Sequence, residues 1–230
     1  MNRWKRISLL IVFTLIFGII AFFHESRLGK WIDNEVYEFI YSSESFITTS
    51  IMLGATKIGE VWAMVALSLL LVAYLMLKRF KIETLFFVIV MSLSSTLNPL
   101  LKNIFDRERP TLLRLIDISG FSFPSGHAMG STSFFGSAIY VINRHDSGIS
   151  KGVLIGLCTL FILLISTSRV YLGVHYPTDI IAGIIGGVFC LFQRRGRRNL
   201  VLHLHMGVGL PCRLRSDLRC FHAVAHQEGK

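Results

Sequence analysis

Ser168-Arg169-Val170-Tyr171-Leu172-Gly173-Val174-His175-Tyr176-Pro177-Thr178-Asp179 joins two long apolar runs, 152–167 and 178–192. A chain that crosses a bilayer seldom sets an arginine, a histidine and an aspartate at the membrane boundary without a use for them. The histidine is a potential nucleophile, the aspartate four residues on can steady it, and the arginine can grip an anion. The other walls of such a site have to come from elsewhere in the chain, so the order of the spans decides whether they meet.

The surroundings of this stretch are those of a membrane protein. Over 230 residues the chain is 52% hydrophobic, and its mean hydropathy is +0.58. Apolar runs of spanning length recur at about 7–23, 61–77, 85–101, 124–142, 152–167 and 178–192. This predicts an all-α, polytopic bundle of six transmembrane helices. The first run follows Arg3, Lys5 and Arg6 like a signal peptide, but Phe22-Phe23-His24-Glu25 offers no small-residue cleavage site, so it reads as an uncleaved span. Between the first two spans, Ile32, Val36, Phe39 and Ile40 share a helical stripe away from Asp33, Asn34 and Glu38. That pattern predicts a short helix lying in the membrane interface over 31–40. The interrupted apolar stretch 46–58 predicts a second, interfacial or partly buried helix.

Charge placement gives the orientation. With the N-terminus cytoplasmic, the inner segments hold twelve basic residues: Arg3, Lys5, Arg6, Lys78, Arg79, Lys81, Arg144, Lys151, Arg194, Arg195, Arg197 and Arg198. The outer segments hold eight: Arg27, Lys30, Lys57, Lys102, Arg107, Arg109, Arg114 and Arg169. The bias obeys the positive-inside rule for a cell-membrane protein with both termini cytoplasmic. It also accounts for the formal charge of +10 without nucleic acid as a partner. The tail 196–230 reads as a disordered or non-native extension to a 1–195 domain. Its Cys212 and Cys220, with seven residues between them, match no common zinc module even with four nearby histidines.

Two further clusters fall at the ends of the predicted spans. Lys102 and Arg109 are seven apart at the outer end of the third span, on one face if the helix continues two turns, and Pro110 ends the helix at Arg109 and frees its guanidinium. Phe123-Pro124-Ser125-Gly126-His127 opens the fourth span, where unpaired backbone N–H groups and the helix dipole favour an anion. Gly126 allows close approach to the backbone there, and Ser125 offers a hydroxyl. Taken singly, each cluster has a plainer explanation: cations snorkelling at a helix end, a Pro-Ser helix start, a histidine satisfied at a helix start. With six spans, however, all three clusters fall at the same outer face.

In that order, Lys-x6-Arg-Pro, Pro-Ser-Gly-His and Ser-Arg-x5-His-x3-Asp resemble the signature of the type 2 phosphatidic acid phosphatase family. That family is part of the superfamily of bacterial acid phosphatases and vanadium haloperoxidases. The matching residues are Lys102, Arg109, Pro110, Pro124 to His127, Ser168, Arg169, His175 and Asp179, and the resemblance covers about residues 1–195. It implies a metal-independent lipid phosphate phosphatase that needs no cofactor. His175 would be the nucleophile, oriented by Asp179, with His127 as general acid and then base. Lys102, Arg109, Ser125, Gly126 and Arg169 would bind the phosphate. Undecaprenyl diphosphate and phosphatidylglycerol phosphate lead the substrates it implies, ahead of phosphatidic acid. Two other functions use the same anion site: a phospholipid transporter or flippase, and a vanadate-dependent haloperoxidase.

Overall fold

The computed structural model describes residues 3–42, 45–111, 115–116, 118–146 and 148–192, and within them every regular element is an α-helix. The expectations for the tail 196–230 and for Arg114 therefore lie outside the described residues. The helices are α1 (Arg3–Phe23), α2 (Arg27–Tyr41), α3 (Phe46–Ile58), α4 (Val61–Leu77), α5 (Lys81–Phe105), α6 (Gly126–His145), α7 (Ile149–Tyr171) and α8 (Pro177–Phe192). The chain is a multi-pass membrane protein. α5 and α7 are each long and apolar enough to cross a bilayer, and the bent pairs α1–α2 (91°) and α3–α4 (57°) qualify as pairs. α4 carries its apolar side chains outward, with Val61, Trp62, Val65, Leu69, Leu70 and Leu77 all exposed, as a lipid-facing helix does.

The predicted interfacial helices are α2 and α3. The sharp turn from α1 into α2 needs Gly29, because a Cβ there would lie 2.1 Å from the Phe23 carbonyl oxygen. Ser26 caps α2 by accepting from Gly29 N at 3.1 Å. α2 then exposes Leu28, Trp31, Ile32, Val36 and Phe39 while burying Asp33 and Tyr37. Its apolar stripe faces outward, beside exposed Glu35 and Glu38, while Asp33 alone of its acids is buried.

Three helix ends differ from those expected. α5 runs through Pro99 to Phe105 and stops at Asp106, whose left-handed backbone (φ 38°) turns the chain off the axis. Arg109 is therefore not on a helical face with Lys102, but in the irregular segment that follows α5. α7 continues to Tyr171, so Arg169 sits in its last turn rather than in a loop. Gly173, at φ 70°, closes that helix: its N–H reaches the Val170 carbonyl at 2.9 Å, and Val174 N reaches the Arg169 carbonyl at 3.1 Å. α6 starts at Gly126, with Ser125 as its cap and a cis Phe123–Pro124 bond before it.

α6 is the central helix, packed on α8, α7 and α5. Small residues set its spacing from α8. A Cβ on Gly183 would meet the Ser125 carbonyl oxygen at 2.6 Å, and one on Gly187 would meet Thr132 Cβ at 2.6 Å. This glycine pair four apart lets the two backbones touch, as small-residue pairs do between membrane helices. The contact carries through to the helix starts, where Ser125 N donates to the Asp179 carbonyl at 3.0 Å. At the far ends of α5 and α6, buried Glu83 accepts from Arg144 Nε at 2.6 Å and lies 3.3 Å from His145 Nε2. The bundle is pinned at both ends, and the end holding Ser125 and Asp179 carries the candidate site.

Candidate active site

His175 occupies the turn between α7 and α8 and is 2% exposed, while Asp179, in the first turn of α8, is fully buried. Pro177 opens α8 with its φ preset for a helix and no N–H to waste. His175 Nδ1 lies 3.3 Å from Asp179 Oδ2 and 3.2 Å from Ser122 Oγ. Ser122 Oγ donates a short hydrogen bond to the same Asp179 oxygen, which also accepts from Tyr176 N at 2.8 Å. With its own proton directed at Asp179, the Ser122 oxygen is left to accept from His175 Nδ1–H.

The other ring nitrogen faces a cation. Arg109 Nη1 is 3.2 Å from His175 Nε2 and donates to the Val174 carbonyl at 2.8 Å, while Arg109 Nε donates to the Gly120 carbonyl at 2.8 Å. A guanidinium has donors only, so His175 Nε2 must present a lone pair to it. The ring is thus held as the Nδ1–H tautomer, with the Nε2 lone pair pointing into the cationic cluster. Burial pushes the His175 imidazole down to about 4; Asp179 opposes this, and Arg109 and Lys102 add to it. At neutral pH the ring is uncharged.

The other predicted residues converge on the same end of the bundle. Arg169 is 1% exposed, and its Nη1 donates a short hydrogen bond to Thr56 Oγ1. Lys102 Nζ donates to the Phe121 carbonyl at 2.7 Å, and is near enough to Arg109 and Arg169 for their charges to act on it. His127 Nε2 stands 3.9 Å from Glu60 Oε1, and its ring packs where a Cβ on Gly59 would fall, 2.6 Å from Cδ2. Ser125 caps α6, accepting from Ala128 N at 3.5 Å. Gly126 lies against Asn98, whose Oδ1 would be 3.0 Å from an added Cβ and whose amide holds the Pro124 carbonyl at 3.2 Å.

Two buried polar atoms here have no hydrogen-bond partner: Arg169 Nε and His127 Nε2. Leaving such atoms unsatisfied is costly, so their presence in one cluster marks a place for a ligand with acceptor oxygens. Lys102, Arg109 and Arg169 gathered beside two histidines suit a phosphoryl group, whose equatorial oxygens take up charge from such donors. Among the described residues, no three His, Cys, Asp or Glu side chains group as a metal site.

Several members of the cluster lie outside the sequence motifs. Ser122, Thr56, Glu60, Asn98, Arg107 and Asp33 all touch motif residues or their neighbours. Arg109 was expected with a freed guanidinium, but it is anchored to two main-chain carbonyls because the chain beyond Asp106 folds back over the α7–α8 turn.

A sequence model of the PAP2 superfamily matches residues 83–200, which contain all three motif clusters. Phosphatidylglycerophosphatase B of Bacillus subtilis is 30% identical over 148 residues, 64% of this chain and 73% of that protein. The undecaprenyl-diphosphatase of Sulfolobus acidocaldarius is 23% identical over 192 residues, 82% of this chain and 87% of that one. The crystal structure of the transmembrane PAP2 type phosphatidylglycerolphosphate phosphatase from Bacillus subtilis superposes with a TM-score of 0.73. It is 25% identical, and the match covers 90% of this chain and 98% of that chain.

Proposed function

As a member of the PAP2 superfamily, the chain is, we propose, a membrane lipid phosphatase that works through a phosphohistidine on His175. The observation that carries this reading is the pairing of His175 Nε2 with a donor-only guanidinium at 3.2 Å, which leaves a lone pair aimed where three cations gather.

In the first step the Nε2 lone pair attacks phosphorus in line, the N–P bond forms and the bond to the leaving oxygen breaks. His127 passes its proton to that oxygen. The Nδ1 proton stays between Ser122 and Asp179, whose charge offsets the positive charge developing on the ring. In the second step His127 takes a proton from water, the water oxygen attacks phosphorus, and the N–P bond breaks. Phosphate leaves and His175 returns neutral. Lys102, Arg109, Arg169, the Ser125 hydroxyl and the Gly126 N–H hold the equatorial oxygens throughout, and no metal takes part.

The substrate is a phosphate ester or anhydride of a membrane lipid. The names of the relatives favour phosphatidylglycerol phosphate and undecaprenyl diphosphate. The outward apolar stripe of α2 and the lipid-facing α4 support delivery of such a substrate from the bilayer. The basic-residue bias supports six crossings by a domain of residues 1–195, both termini in the cytoplasm and the site at the extracytoplasmic face of the cell membrane.

The test is phosphate release from both lipids by purified wild type and His175→Ala, with EDTA present. Release by wild type, its inhibition by vanadate and its absence in the variant are expected. A requirement for added metal, or turnover by the variant, contradicts the mechanism.

A further inference from the structure

Arg107 lies outside every sequence motif, yet it is 7% exposed and spans two fully buried carboxylates. Its Nη1 donates to Asp179 Oδ1 and to Thr178 Oγ1, both at 2.7 Å, and its Nη2 donates to Asp33 Oδ2 at 2.7 Å. The guanidinium also sits 4.0 Å over the Tyr176 ring. Asp33 completes the circuit: Oδ1 accepts from Thr178 N at 2.9 Å and Oδ2 from the Thr178 hydroxyl at 2.8 Å. The main chain of Arg107 takes part as well, its carbonyl accepting from Ser122 N at 2.7 Å.

We infer that Arg107 and Asp33 are positioning residues for the His175–Asp179 pair, with amphipathic helix α2 as their anchor. A carboxylate turns freely about its last bond unless both oxygens are engaged. Arg107 holds Asp179 Oδ1, and this aims Oδ2 at His175 Nδ1 and Ser122. Asp33 in turn holds Arg107 and the first turn of α8 together. Arg107 therefore balances two carboxylates, which separates it from the cations of the phosphate cluster. Asp33 comes from the buried face of α2, whose opposite face exposes Trp31, Ile32, Val36 and Phe39. The helix that lies in the membrane interface thus also fixes the acid behind the nucleophile, an outer shell of the kind that sets a catalytic group's geometry.

This inference rests on the nucleophile assignment above, and its test keeps the two apart. Asp33→Asn, Arg107→Lys and Arg107→Gln are purified beside wild type and His175→Ala. Each is assayed on phosphatidylglycerol phosphate and undecaprenyl diphosphate in micelles, with thermal unfolding measured on the same samples. Asp33→Asn and Arg107→Gln should lower kcat per folded molecule on the order of 10–100-fold, by analogy with outer partners of catalytic groups. KM should stay within about threefold, since the loss falls on the transition state, while the inhibition constant of vanadate, which mimics that state, should rise with the loss in kcat. Arg107→Lys should recover part of the kcat, because it keeps the charge but loses the fork. Asp33→Asn and Arg107→Gln turning over at the wild-type rate per folded molecule, with only thermal stability lowered, would overturn the inference while an inactive His175→Ala left the nucleophile standing. An active His175→Ala would overturn the nucleophile itself.

Discussion

Arg109 Nη1 lies 3.2 Å from His175 Nε2, although the two residues are 66 apart in sequence. In the proposed mechanism a phosphate binder and the nucleophilic nitrogen thus occupy adjoining positions, and a phosphoryl group entering the site meets both at once. Removing this guanidinium should act on the transition state. Arg109→Ala is expected to lower kcat by roughly 10²–10³, the cost of deleting a donor to a developing oxyanion. Arg109→Lys should restore only part of it, since a point charge cannot reproduce two planar donors. Steady-state phosphate release checks both.

The proposed mechanism predicts a pH profile set by burial of His175. His175 must be neutral to attack, and its pKa is lowered to about 4. It therefore stays neutral as pH falls through the ordinary histidine range. The limb of kcat/KM belonging to His175 should appear near pH 4, not near 6.5. Asp179 raises this pKa through its hydrogen bond and its charge. Asp179→Asn should move the limb still lower, and should reduce kcat by about 10⁴ as the tautomer is lost, as in serine proteases. A pH–rate series on the free enzyme measures both.

Ser122 shares the Asp179 oxygen with His175 and stands 3.2 Å from Nδ1. Ser122→Ala should leave Asp179 to orient the ring alone. A fall in kcat on the order of 10-fold is expected, matching the low end of the roughly 1.5–3 kcal/mol of a hydrogen bond to a charged group. Burst and steady-state kinetics on one lipid substrate would show it.

Gly187 permits contact between α6 and α8, and a side chain there meets Thr132 Cβ and the Met129 carbonyl oxygen at 2.6 and 2.8 Å. Gly187→Val should therefore destabilise the bundle by about 1–3 kcal/mol through overpacking. Thermal unfolding in detergent reads the loss. Activity should fall with it, because the same helix pair sets Ser125 against Asp179.

The motif residues were legible from their order and spacing, and the structure gathers Lys102, His127, Arg169 and His175 at one end of the bundle. The interfacial helices α2 and α3 were also visible, α2 from its stripe. Helix ends were less so: nothing in Lys102 to Pro110 announces that Asp106 takes a left-handed turn and moves Arg109 off the axis. The supporting shell was hidden for a different reason. Asp33 meets Thr178 across 145 residues and Arg169 meets Thr56 across 113. Such pairs follow from how helices stack, and no local period or spacing encodes them. Arg107 reads in the sequence as one more outer-loop cation, because both carboxylates it joins, Asp33 and Asp179, are more than 70 residues away.

The central claim is covalent, so trapping the covalent species tests it most directly. Enzyme mixed with lipid substrate labelled in the scissile phosphate, quenched in base within a turnover and digested, should yield one labelled peptide containing His175. The label should be lost on acid treatment, as expected for a phosphoramidate, and should be absent from His175→Ala. No label under conditions of active turnover, or label on a different residue, would contradict the account.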